Sequence, residues 1–261
     1  ITETDATKGI VMVDSKGNEW TWVEVPKTTV FTTAQNATDY DNIKTDLINY
    51  AKDYREGSEG QGFYWTDEWY NGCGVANSTT YTQMYNKMLS SVYSNGGFWI
   101  SRYEIGDATA TASNTIRTNS SGTSGTPVSK PDQIPYNLVY CNQAQILASG
   151  MSTDENKISS LLFGIQWDLT CKFIEENTDI ELADINSDST SWGNYKNSSL
   201  TLNRGKYNTN PIISTSEWKT FDTDTENYVT NKQTSNNTSY YQLLTTGASE
   251  QTNKMNIYDF A

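Results

Sequence analysis

The chain contains no histidine. That absence removes Ser-His-Asp and Cys-His nucleophiles, His-ligated zinc and the two-His-one-carboxylate iron site together. Cysteine is scarce as well. Cys73, Cys141 and Cys171 are odd in number and too far apart for a CxxC motif, which excludes a disulfide scaffold. Cys141 and Cys171 fall in apolar-patterned segments and read as small buried hydrophobes, whereas Cys73, in the Gly-flanked "YNGCGV", is the one expected to be accessible. Positive charge is also short: 18 Lys and Arg against 31 Asp and Glu leave a net charge of −13 with no basic run. Nucleic acid and anionic lipid are therefore not expected partners, because both recruit Lys and Arg to phosphate. No apolar run approaches the roughly 20 residues that span a bilayer, so no membrane insertion by this segment is expected. The stretch "ITETDATKGI" has neither a charged n-region nor an apolar h-region. No Gly-rich stretch precedes a helix that could cradle a phosphate.

What is present is aromatic and polar. Apolar residues make up only 35% of the chain, yet 8 Trp and 17 Tyr can build a core, since each ring buries roughly 150–250 Å2. The excess of Asn, Thr and Ser fills loops and solvent faces. At 261 residues the default expectation is a single α+β domain over 1–261, with few short strands, several helices and much irregular loop.

Periodicity places the elements. Residues 10–26 read as a hairpin: an apolar run Ile10 to Val13, a turn Asp14 to Asn18, then Trp20, Trp22, Val23 and Val25 before Pro26. Ile43, Leu47, Tyr50, Ala51 and Tyr54 predict a helix stopped by Gly57. Tyr81, Met84, Tyr85, Met88, Leu89 and Val92 predict a second helix over Thr80 to Ser94, with core packing as the reading of its stripe. Two more are predicted over Cys141 to Ser149 and over Ser160 to Glu175, the last with Leu161, Leu162, Ile165, Leu169 and Phe173 on one face. "GFWISRYEIG" reads as a strand, and Asp107 to Lys130 as a long polar loop. From Asn177 to Asn253, aromatic islands such as "SWGNY" and "SEWKTF" alternate with polar loops and predict irregular structure with a few short strands. In "KMNIYDFA", the alternation of Ile257, Tyr258 and Phe260 with polar or small neighbours predicts the entrance to a buried strand.

Chemistry is thin in this sequence. Asp67/Glu68, Asp168 and Glu175/Glu176 are the carboxylates that could serve as acid and base, but adjacent carboxylates diverge and no facing pair is legible. Asp184, Asn186 and Asp188, and Asp222, Asp224 and Glu226, resemble the first half of a calcium loop. Neither has Gly at the sixth position, and Tyr195 stands where an EF-hand needs Glu. They read as solvated loop acids, with calcium the one metal the composition accommodates and no cofactor expected. The N-x-S/T triplets at Asn36, Asn77, Asn119, Asn197 and Asn237 would be glycosylation acceptors in a eukaryotic secretory protein, but they also arise by chance in so polar a chain and are given no functional weight.

Five stretches in order, "GFWISRYEIG", "PYNLVYCNQAQILASGM", "LLFGIQWDLTCKFIE", "SWGNY" and "MNIYDFA", resemble the landmarks of the formylglycine-generating enzyme (sulfatase-modifying factor) family, a variant of the C-type lectin fold. The resemblance rests on Tyr103-Glu104, Trp167-Asp168, Trp192-Gly193-Asn194 and Tyr258-Asp259-Phe260-Ala261. The hairpin "DSKGNEWTWVEVP" is similar to the opening strands of such domains in surface proteins of Gram-positive gut bacteria. The resemblance implies a C-type lectin-like fold whose last core strands, with the paired cysteines of the oxidase, would follow residue 261. It also implies that neither oxidase nor His-dependent iron chemistry carries over. Lectin-like domains without the catalytic set serve as display platforms, including the variable proteins of diversity-generating retroelements. A secreted or cell-surface, non-catalytic binding domain for a protein or glycan is thus expected, an adhesin or receptor binder of bacterial type, with Trp192, Asn194, Tyr195 and Trp218 as contact residues. For Trp192, a core role is an equal expectation. The alternatives are a diverged enzyme of the same family with its active site in a tail beyond residue 261, and a structural module of a larger surface appendage.

Overall fold

The computed structural model describes residues 1–55, 74–110, 123–136, 139–152, 154, 157–185, 192–194, 199–208, 218–220, 228–230, 233–235, 238–240 and 243–260. It is a mixed α+β chain that divides into two compact units. Unit 1 takes residues 1–21, 101–139 and 187–261, and unit 2 takes residues 22–100 and 140–186.

Unit 2 is the helical one. After β2 (Glu19–Glu24), which enters from unit 1, come α1 (Lys27–Val30), α2 (Tyr40–Tyr50), α3 (Lys52–Arg55), α4 (Ser78–Asn95), β3 (Gly97–Ser101), α5 (Cys141–Ser149), α6 (Gly164–Asn177) and α7 (Leu182–Ile185). The helical spacing seen in the sequence does bury one face of α2 and α4: Ile43 and Leu47 are fully enclosed, as are Leu89 and Val92. Each such aliphatic side chain contributes about 1.5–3 kcal/mol. The predicted helix through Tyr54 is interrupted at Ala51, which leaves α3 as a separate turn packed on α6. The start of α4 is set by Asn77, whose side chain accepts the Thr80 N–H at 2.9 Å, and its end by Gly96 in the left-handed conformation (φ 75°).

Two sequence expectations fail in unit 2. Ser160 to Phe163 lie outside α6, and Leu161 and Leu162 are 37% and 38% exposed rather than core. The reason is local: Gln166 reaches back to accept the Phe163 N–H at 3.1 Å, which fixes the helix start after Phe163. Cys141 is exposed, because α5 buries Gln145 and Leu147 and turns its first residue outward. Cys171 is buried as expected. Burial first and Asp168 second push its thiol up to about 12, so it is inert packing. Cys73 lies outside the described residues.

Unit 1 is built from short strands. β1 (Val11–Val13) pairs antiparallel with the first half of β2, Val11 opposite Thr21 and Val13 opposite Glu19. The Asp14 side chain holds the intervening turn by accepting the N–H groups of Lys16 and Asn18. β4 (Gly106–Asp107) lies between β5 (Pro127–Val128) and β6 (Ile134–Pro135). The stretch read as one long loop is therefore sheet at both ends, with residues 111–122 outside the described set. Asp107 closes it by accepting N–H groups from Thr109 and Thr126, each at 3.0 Å. The later part holds β7 (Ser199–Thr201), β8 (Lys206–Asn208), β9 (Trp218–Thr220), β10 (Tyr228–Thr230), β11 (Gln233–Ser235), β12 (Thr238–Tyr240) and β13 (Leu243–Leu244). They pair as β10-β7, β11-β12 and β13-β8-β9, the few short strands that the polar composition allows.

"KMNIYDFA" is buried but is not a strand. Ile257, Tyr258 and Phe260 are core residues, whereas Met255, Asn256 and Asp259 take left-handed backbone at φ 54°, 61° and 58°. Extended alternation cannot pass through such residues, so the apolar positions are buried by a coiled turn instead. Ala261 lies outside the described residues.

Candidate functional site

Unit 1 gathers its chemistry around the Tyr258-Asp259-Phe260 turn. Five backbone and side-chain bonds pin it. The Tyr258 N–H donates to the Arg102 carbonyl at 2.8 Å, and the Asp259 N–H to Thr252 Oγ1 at 3.1 Å. The Phe260 carbonyl accepts from the Asn194 N–H at 3.1 Å, and Asp259 Oδ2 accepts from the N–H groups of Gly247 (2.8 Å) and Glu104 (3.3 Å). Asp and Asn tolerate left-handed backbone better than most residues, which is why Asp259 can turn its carboxylate toward those two donors.

An aromatic and cationic stack supports the turn. The rings of Tyr103 and Tyr258 lie 5.0 Å apart, tilted by 31°. The Arg102 guanidinium is 5.5 Å and 5.4 Å from their centroids, and the Arg204 guanidinium is 5.9 Å and 4.9 Å away. Arg102 is held by Glu19 at 2.7 Å and by Asn256 Oδ1 at 2.7 Å, and Arg204 donates through Nε to the Gly247 carbonyl. Tyr258 donates its hydroxyl to Glu250 and accepts from Asn253. Burial pushes the Tyr103 phenol up to about 12, so it stays neutral. Gly247 has φ 64°, and a Cβ there would stand 2.6 Å from a Tyr103 ring carbon, so the turn accepts no side chain.

Beside this stack is a pocket of about 170 Å3. Its polar rim is formed by Glu104, Asn194 and Asp259 with the hydroxyl residues Tyr136, Thr245, Ser249 and Thr252, and Leu200 and Leu244 supply apolar wall. Small-molecule sites run to about 300–1,000 Å3, so this one suits a group the size of a side-chain tip. Glu104 is solvent-exposed where it lines the pocket, with other protein groups crowded around it. Burial, then repulsion from Asp259, pushes its carboxyl up to about 7. Burial likewise pushes Asp259 up to about 6, against the pull of the Gly247 and Glu104 N–H groups and of Arg204.

The contact residues expected from sequence fare unequally. Trp192 is 1% exposed and takes the core role rather than a ligand-facing one, because the Trp-Gly-Asn turn tucks its ring inward. Asn194 is exposed and lines the pocket. Trp218 is half-buried in β9, opposite Asn208 of β8, and its indole N–H is enclosed without a hydrogen-bond acceptor among the described residues. Tyr195 lies outside the described residues. Of the acid candidates, Asp168 is buried in α6, and Glu175 and Glu176 are occupied structurally. Glu175 accepts from Tyr54 and Lys172, and Glu176 from Tyr50. Asp67 and Glu68 lie outside the described residues. So do most of the two calcium-loop stretches; Asp184 accepts the Glu181 N–H within α7.

The facing pair that sequence reasoning missed is Glu104 and Asp259. The signal was present, since Tyr-Glu and Tyr-Asp were both quoted as landmarks, but 155 residues separate the two acids and nothing local links them. Among the described residues, no cluster of three or more Cys, Asp or Glu side chains is placed to hold a metal ion, and no helix is long and apolar enough to cross a membrane. No protein-family model, curated protein or solved structure matches this chain.

Proposed function

We propose that this chain is a non-catalytic, secreted or surface-displayed binding domain of C-type lectin-like, formylglycine-generating-enzyme-like fold, recognising a protein or glycan. One observation carries the reading. Three of the landmark stretches, Tyr103-Glu104, Trp192-Gly193-Asn194 and Tyr258-Asp259-Phe260, meet through Tyr103 against Tyr258, Glu104 N–H to Asp259 and Asn194 N–H to the Phe260 carbonyl. Their rings go into the core, and their polar members, Glu104, Asn194 and Asp259, are left on the rim of a pocket. A rigid aromatic core that presents polar groups is the division of labour a display platform needs.

The test is a protein and glycan array screened with the whole chain, followed by titration of any binder against Asn194→Ala and Glu104→Gln. A saturable binder weakened by either change supports the reading. Absence of any binder, or binding indifferent to both changes, counts against it.

A second reading has its own observation. Two carboxyls raised to about 7 and about 6 beside one pocket are the arrangement a general acid and base require. Turnover of a glycoside or ester panel, abolished by Glu104→Gln, would favour catalysis over recognition.

A further inference from the structure

Exposed apolar surface is unevenly distributed over the chain. Among the described residues eight large hydrophobic side chains are open to solvent, and six of them, Tyr140, Ile146, Ile158, Leu161, Leu162 and Trp167, fall within one stretch of unit 2. Hydrogen bonds draw that stretch into a face. Ser159 Oγ donates to the Ala148 carbonyl at 2.6 Å and the Leu161 N–H to Gln145 Oε1 at 3.1 Å, so residues 158–162 run antiparallel along the flank of α5. Gln145 and Leu147 are buried, which turns Ile146 to the open side. Tyr140 stands at the start of α5, and Trp167 lies on the first turn of α6, which begins directly after Phe163. These six side chains are 37–64% exposed.

We propose that this face is the contact surface of a homodimer, with a second copy of the chain as its occupant. The area fits. Each of the six leaves on the order of 100 Å2 open, roughly 500–600 Å2 together, at the upper end of what a monomer ordinarily exposes in one patch. A standard interface takes about 800 Å2 from each partner and homodimer interfaces are about 65% apolar, so the apolar part required is about 500 Å2. The charge fits as well. At a net charge of −13, two copies repel each other wherever their acids meet, so a self-contact needs a face where charge is sparse. Residues 140–167 carry only Asp154, Glu155 and Lys157, and Asp154 pairs with Lys157 at 3.0 Å. A cationic partner is steered to the acidic remainder of the surface instead.

The rim is complementary to itself. The side-chain oxygens of Asn142 and Gln143 accept from the N–H groups of Gln143 and Tyr140 and leave their amide protons for a partner. The Ser149 hydroxyl donates to the Ile146 carbonyl and leaves its lone pairs. A patch that holds both donors and acceptors meets the requirement of a two-fold interface, in which the same residues serve on both sides. The inference goes beyond the recognition reading and is independent of it, because the face uses none of the pocket residues. Salt gives it a signature: screening relieves the repulsion between like-charged copies, so added salt strengthens this dimer, whereas an association built on ion pairs weakens.

The experiment is sedimentation velocity of the intact chain over about 1–500 μM, repeated at about 0.02 M and about 0.3 M salt, with amide NMR at two concentrations to map the contact. The expected result is a reversible monomer–dimer equilibrium that tightens with salt, with concentration-dependent shifts at residues 140–149 and 158–167. Ile146→Glu and Leu162→Glu each place a charge on the face twice over, once per copy, and should weaken association about tenfold or more. Both positions are exposed, so each variant should melt with the parent. Ile1→Glu, the same charge on an exposed apolar residue of unit 1, is the matched control and should leave association unchanged. A dimer indifferent to both face variants, association weakened by salt, or shifts confined to other residues would each overturn the proposal. So would a monomer across the whole range: if Ile146→Glu then lowers stability, the face is covered by another part of this chain, and if it does not, the face belongs to a foreign partner or to none.

Discussion

Tyr103 and Tyr258 pack ring to ring at 5.0 Å with a guanidinium near each side, and this contact joins two stretches that sequence separation keeps far apart. Both rings are almost fully buried. Removing one should open a cavity in the support of the pocket. Tyr258→Ala is expected to cost about 3–5 kcal/mol, the range for losing a buried aromatic. Tyr258→Phe keeps the ring and loses only bonds to Glu250 and Asn253, for about 0.5–1.5 kcal/mol. Urea unfolding of the two variants distinguishes ring packing from hydroxyl bonding.

Gly247→Ala tests the close approach of the neighbouring turn. With φ 64° and Tyr103 carbons 2.6–2.7 Å from the added Cβ, the variant should lose about 1–3 kcal/mol and shift the amide signals of Asp259 and Glu104. Gly150→Ala is the matched control. Its φ is −77° and its Cβ would meet nothing closer than 3.5 Å, so it should be neutral or stabilising by about 0.4–1 kcal/mol.

How much of this was legible in the sequence follows from which forces are local. The Val11–Val13 and Glu19–Glu24 hairpin, the 78–95 helix and the 141–149 helix were readable because period, caps and turn residues all sit within one short window. The break at Ala51 was not, because no stop signal marks it; the exposure of Leu161 was missed although its cause is local, the Gln166 side chain that caps Phe163 and starts the helix late. The left-handed turn at Asp259 was misread as a strand, since alternation of apolar residues is also what a tight coil produces when its polar members point at buried donors. Asn194 was found from its landmark, whereas the pairing of Glu104 with Asp259 depends on contacts made only after folding.

Asp46 offers a pH test of the opposite sign to the pocket. Burial alone would push its carboxyl up, but the N–H groups of Ala34 and Thr33 and the hydroxyls of Thr33 and Thr32 hold it below the usual carboxylate range. Its contribution is therefore full at neutral pH and is lost as pH falls through that depressed value. Asp46→Ala leaves two backbone N–H groups without their acceptor and is expected to cost about 2–4 kcal/mol at neutral pH, with a smaller deficit in acid, by urea titration across pH.

Glu104 and Asp259 act the other way. Their folded values, about 7 and about 6, lie above those of an unfolded chain, so the native state holds their protons more tightly. The stability they contribute is complete below about pH 4 and disappears as pH rises through about 6–7. Glu104→Gln removes one titration, so the variant should gain on the parent as pH rises and show a shallower decline. Equal slopes for the two proteins would contradict the raised Glu104 carboxyl.

The most direct measurement is a carbon-13 NMR titration of the side-chain carboxyls in the intact chain. The pocket described here requires Glu104 and Asp259 to titrate as a coupled pair with midpoints near 7 and 6 and to respond to each other's replacement by amide. Two independent midpoints near the ordinary value of about 4 would mean that the acids do not share an enclosed site, and the recognition site built on them would fall with them.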